Sequence, residues 1–167
     1  MKILPLLTAA CLLASPSLAD LHVEFVEGAP KDRFVLTNTG NCPIDAAMIT
    51  IDLTGSQGGL IFDVTGAGSG VEVFQPFEVV LGGDHMVQLP NVKDGDQVVS
   101  LQLENLDQNG SVAFTIDVDD TAGAREITVS RSEMKGATVS AKVGANNYSA
   151  VIGDTPKATV KTGDCLS

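Results

Sequence analysis

In "FTIDVDD", Phe114 to Asp120, three carboxylates fall within four residues at the end of an alternating stretch. Alternation places Val112, Phe114, Ile116 and Val118 on one face and Thr115, Asp117 and Asp119 on the other. With the apolar set facing a core, Asp117 and Asp119 are expected on the outer, wet face, about 7 Å apart at a strand rise of ~3.4 Å per residue. The preceding segment "QVVSLQLE" offers Val99, Leu101 and Leu103 to the same core, and "DQNG" between the two reads as a hairpin turn. Matching the inner faces implies a pairing in which residue numbers sum to about 217, because a slip of one would invert every side chain. That register sets Asp94 and Asp96 of "KDGD" beside Asp117, Asp119 and Asp120.

Carboxylates brought that close repel unless something neutralises them. Calcium does so with six to eight oxygen ligands, mixing carboxylates and backbone carbonyls. The spacing is not that of an EF-hand loop. The opposing reading is an acid-fringed sheet edge, where charge discourages strand-to-strand aggregation. Asp52 in "ITIDLTG" and Asp63 in "LIFDVTG" each close a strand before a glycine-containing turn. Capping those turns is the expected role of both, and completing the acidic site is the alternative.

Catalytic signatures are absent. The two histidines, His22 and His85, stand in unrelated contexts and read as surface residues; no GxSxG elbow, HExxH pair or phosphate-cradling loop occurs. Without Trp, and with one Tyr and six Phe, there is little aromatic surface on which a sugar ring could stack. Calcium-mediated sugar binding stays open, and the chain reads as a non-enzyme. "NGS" at Asn109 and "NYS" at Asn147 match the glycosylation pattern by chance, since Asn-Gly-Ser also suits a hairpin turn.

The elements that must position these acids are strands. "LHVEF", "RFVLTN", "MITIDLTG", "VEVFQPFEV", "VVSLQLEN", "VAFTIDV", "EITVSRS" and "ATVSAKV" all alternate, with "YSAVI" and "KATVKT" as candidate last strands. Gly, Asn, Asp and Pro punctuate them at short intervals, and no segment carries a sustained helical stripe. This predicts an all-β fold, an antiparallel β-sandwich or jelly roll, formed as a single domain over residues 20–167.

The opening "MKILPLLTAACLLASPSLAD" has one Lys, an apolar run and small residues before Asp20, which reads as a signal peptide over residues 1–19 and an exported product. Its apolar run is short of the ~20 residues that span a bilayer, so no membrane insertion is expected. In an oxidising compartment Cys42 and Cys165 are expected to form a disulfide. After the leader, 21 acidic residues face nine basic ones, twelve net negative charges. Such a surface repels nucleic acid and attracts cations.

Taken together, "RFVLTNTG", "ITIDLTGSQGGLIFDVT", "VEVFQPFEV", "DGDQVVSLQLENL", "VAFTIDVDDT" and "EITVSRSEMKGATVSA" resemble the aggregation-factor core family, from Arg33 to Ala141. That family comprises sponge proteins of calcium-dependent cell adhesion and similar secreted bacterial proteins. The resemblance implies an extracellular adhesion module for which calcium matters, with an extracellular polysaccharide or cell-surface component as partner. A single short domain without tandem Calx-beta modules departs from the sponge pattern. The alternatives are an acidic structural or matrix domain with no specific ion and, less favoured, a secreted glycan-active enzyme.

Overall fold

The computed structural model describes residues 18–66, 74–122 and 128–164. In chain order the strands are β1 (Leu18–Val26), β2 (Asp32–Asn38), β3 (Ala47–Asp52), β4 (Ile61–Phe62), β5 (Glu78–Leu81) and β6 (Met86–Gln88). There follow β7 (Val98–Leu103), β8 (Ser111–Ile116), β9 (Val118–Asp119), β10 (Thr138–Val143), β11 (Asn146–Val151) and β12 (Lys157–Asp164). Among the described residues the only helical element is one 3-10 turn, Gly83–His85.

Two five-stranded antiparallel sheets pack face to face, as the alternation predicts. One has the order β12-β1-β2-β8-β5 and the other β11-β10-β3-β7-β6, with the small ribbon β4-β9 beside them. Alternation drives this directly: every second residue of β7, Val99, Leu101 and Leu103, is buried, as are Ile49 and Ile51 of β3 and Phe34 and Leu36 of β2. The core is centred on rings, with Phe34 stacked on Phe114 at 5.1 Å and Phe77 on Phe114 at 4.6 Å.

Three expectations need correction. β7 and β8 are not a hairpin: β7 pairs with β3 and β6, β8 pairs with β2 and β5, so the register summing to about 217 does not exist. The chain between them, with Asn109 in the left-handed region at φ 61°, carries it from one sheet to the other. Each strand then presents its apolar face across the core instead of beside its neighbour. Secondly, "EITVSRS" contains no strand in its described part, Thr128–Ser132, although Val129 is buried. Thirdly, "VEVFQPFEV" is paired only from Glu78 onward; Val71 to Val73 lie outside the described residues.

Strand β1 begins at Leu18, so it includes Ala19, whose carbonyl accepts a hydrogen bond from the Thr162 hydroxyl. The rest of the expected leader, residues 1–17, lies outside the described residues, as does Cys165. Cys42 is half-buried against the core, its carbonyl bonded by the Asn38 side chain.

Candidate functional site: a buried cluster of aspartates

At one end of the sandwich β8 runs into β9, and β9 pairs with β4 so that Ile61 faces Asp119 and Phe62 faces Val118. One residue further along, the Asp63 amide donates to the Asp117 carbonyl at 3.1 Å, the Asp63 carbonyl accepts from Gln75, and the Asp117 amide donates to Gln75. The turn before β7 is laced onto the same ribbon. Phe62 donates to the Asp96 carbonyl at 2.8 Å and accepts from Gly95 at 2.9 Å. Loops from both sheets therefore meet here.

Asp32, Asp63, Asp117, Asp119 and Asp120 are all buried. This overturns the expectation that Asp117 and Asp119 face solvent: β8 is an interior strand of its sheet, and even Ala113 and Thr115 on its outward side are covered. Asp63 is only 1 % exposed, and neither of its carboxylate oxygens meets a hydrogen-bond donor; one oxygen each of Asp117 and Asp120 is likewise orphaned. Native folds rarely leave such atoms unsatisfied, because burying an unpaired carboxylate costs several kcal/mol unless it is neutralised.

The electrostatics follow from that burial. Desolvation, then the neighbouring carboxyls of Asp94 and Asp119, push Asp63 up to about 7. Desolvation and the charges of Asp119, Asp32 and Asp63 push Asp117 up to about 8. Asp32 is raised to about 7 by burial although it accepts the Gly28 and Val118 amides. Asp94 moves the other way, held down by its contact with Asp63 and by the amides of Val64 and Thr65, both at 3.1 Å from its Oδ1. The charges acting most strongly on Asp63 and Asp117 are all negative.

Of the residues expected from spacing, Asp94, Asp117 and Asp119 do come together, with Asp63 as their common neighbour. Asp96 stands apart in role: its Oδ2 caps the Lys93 amide at 2.8 Å. Asp120 is buried but is not among the charges acting most strongly on Asp63 or Asp117. Asp52 caps Thr54, as expected. Asp63 does not cap its own turn; its place directly after the continuous apolar run Leu60–Phe62 gave no sign that a two-residue ribbon would bury it. Asp32, absent from the expected set, has a legible signal only in the turn "APKDR" that it closes.

Among the described residues no three Asp, Glu, His or Cys side chains are already grouped to hold a metal ion. Side chains would have to turn toward an ion from their present positions. Comparison with protein-family models finds no match, and comparison with curated proteins finds none either.

Proposed function

We propose that this chain is a secreted, calcium-stabilised β-sandwich module that binds an extracellular surface component, in the manner of an adhesion or aggregation domain. The observation that carries the ion is Asp63: a carboxyl buried to 1 % exposure, with both oxygens orphaned and two further carboxyls against it. Asp63, Asp94, Asp117 and Asp119 would hold the ion. These are hard oxygen donors with no nitrogen or sulfur among them, the chemistry that suits calcium. A bound cation would repay the burial of the carboxylates and tie loops of the two sheets together. Adhesion rests on the resemblance to the aggregation-factor core family and on the leader-like opening. The partner it implies is a polysaccharide or another cell-surface component.

A disulfide between Cys42 and Cys165 belongs to the same proposal. Asp164 pairs with Leu18, and the Thr39 amide donates to the Asp20 carbonyl at 2.8 Å. The loop that leads to Cys42 and the last described residue of β12 thus both lie against the start of β1. Alkylation and mass measurement without reductant should find neither thiol free.

The acidic structural domain with no specific ion is the competing reading, favoured by the lack of a preformed ligand group among the described residues. Thermal unfolding with calcium and with chelator separates the two. A ligand at ~100-fold excess over its Kd adds about 2.7 kcal/mol to stability. An unchanged transition temperature sinks the ion. Incubation with a polysaccharide panel, scored for retention and for released fragments, tests the partner, and fragment release would replace the binding module with an enzyme.

A further inference from the structure

We propose that the end of the sandwich opposite the aspartates carries a groove for an uncharged saccharide, with Tyr148 as its wall and Asp45 and Asn146 as its hydrogen-bonding groups. Such a groove grips one unit of a polysaccharide partner, so it rests on the reading of the chain as a polysaccharide-binding module and not on the ion. β7 separates the two places. It starts at Val98 beside Asp52, just after the turn that carries Asp94 and Asp96, and ends at Leu103 beside Ala47. The groove lies at the end marked by Leu103 and Ala47.

Two adjoining hollows form it. The larger, about 400 Å³, lies between the segment before β3, the β10-β11 turn and β12, where Asp45, Asn146, Tyr148 and Thr162 line it. The smaller, about 250 Å³, has Gln102 and Lys142 in its lining. Ala46 and Gly144 border both. Gly144 stands in the left-handed region at φ 57°, and a Cβ there would meet nothing within 4 Å, so the turn between the hollows is open. The larger hollow alone falls within the ~300 to 1,000 Å³ of small-molecule sites.

Tyr148 is a fixed wall. It pairs with the buried Ala141, so it leaves β11 on the core side, and a Cβ at Gly163 of β12 would lie 2.8 Å from its hydroxyl oxygen. The side chain packs against the core and still lines the hollow, offering an apolar body and a polar tip. Thr162 adds no free polar group, because its hydroxyl donates to the Ala19 carbonyl. In contrast, the side chains of Asp45, Asn146, Tyr148, Gln102 and Lys142 make no hydrogen bond or ion pair among the described residues. Spare donors and acceptors thus surround one aromatic wall. A sugar ring matches that arrangement, with C–H faces and hydroxyls that both donate and accept. Charge narrows the class. Asp45 and Lys142 offset each other, so the lining is formally neutral in a chain of net charge −11. An anionic ligand would approach against the field of the whole chain, and a cation would meet Lys142 beside the one carboxylate. An uncharged polyol meets neither cost.

Tyrosine emission reads this site directly, because Tyr148 is the only tyrosine and the chain has no tryptophan. The leader-free protein is titrated with the methyl glycosides of glucose, galactose, mannose and N-acetylglucosamine, in calcium and in chelator. A saturable change with at least one of them is expected, with a Kd on the order of 1 mM for a ligand of this size, and the same in both conditions. Asp45→Ala and Asn146→Ala should each weaken it by about tenfold. Asp84→Ala, in the 3-10 turn by the opposite edge, should leave it unchanged. Circular dichroism and melting of each variant show that the fold is retained, as these side chains already face solvent. No saturable change with any of the four glycosides, or binding indifferent to both Asp45→Ala and Asn146→Ala, overturns the proposal. Retention on a polysaccharide that persists in both variants removes the groove and keeps the binding module, whereas a parent chain retained by no polysaccharide sinks the module itself. Saccharide binding with no effect of calcium on melting would instead sink the ion and leave the groove standing.

Discussion

Asp63 and Asp117 are held opposite one another by the Asp63 amide, which donates to the Asp117 carbonyl at 3.1 Å, and both carboxyls are buried with orphaned oxygens. In β-sheet geometry directly opposed residues share a face, so the main chain itself forces these two acids together. Folding cannot separate them without undoing the β4-β9 ribbon.

Replacing one charge by an amide should relieve the conflict. For Asp63→Asn, denaturant unfolding in chelator at a pH near 8 should show a gain of about 1 to 3 kcal/mol, the penalty of an unsatisfied buried group. The same variant should lose the gain from calcium. A variant that stays as calcium-responsive as the parent would remove Asp63 from the ion site.

Protonation should act as calcium does. Asp32 and Asp63, raised from 3.8 to about 7, and Asp117, raised to about 8, bind protons more tightly in the folded chain than in the unfolded one. Their stabilising contribution is therefore full below pH 3.8 and is lost as pH rises through 7 to 8. Asp94, shifted down, has the opposite sign: its contribution is present above its ordinary value and is lost only as pH falls below it. Glu27 and Asp119 add to the strain on Asp32. In chelator the denaturation midpoint should fall between about pH 5 and pH 8.5, and saturating calcium should flatten that fall. A midpoint that rises over this interval in chelator contradicts the buried cluster.

Asp32 holds a different position. Its two oxygens accept the amides of Gly28 at 2.9 Å and Val118 at 3.2 Å, joining the β1-β2 turn to the start of β9. Asp32→Ala leaves both donors without that acceptor and should cost about 1 to 3 kcal/mol. Unlike the change at Asp63, the loss should appear in chelator as well as in calcium, measured by urea unfolding under both conditions.

Phe114 is the core side chain on which the most depends, since it is stacked between Phe34 and Phe77 and fully buried. Phe114→Ala should destabilise by about 3 to 5 kcal/mol, read from the shift in the urea midpoint. It should also loosen Phe77, which stacks on Phe114 just before the edge strand β5.

Much of this was legible in the alternation. Val99, Leu101 and Leu103, or Phe114 and Ile116, could only be buried on one face, which is why the strands and their inner faces follow from residue order alone. Three of the acids that meet, Asp94, Asp117 and Asp119, were also foreseeable, although by the wrong route. Hairpin chemistry at "DQNG" described a turn correctly but not which sheet each strand would join.

Local pattern determined the strand set, the apolar faces and the excess of acid, because side-chain direction in a strand alternates with period two whatever the topology. Whether the acidic face of β8 is wet or buried depends on how many strands flank it, and that is decided by long-range pairing. Only the tertiary structure placed β8 between β2 and β5, brought Asp63 from a distant turn opposite Asp117, and left β5 and β6 open at the far edge. Each of these joins residues far apart in the chain, where periodicity carries no information.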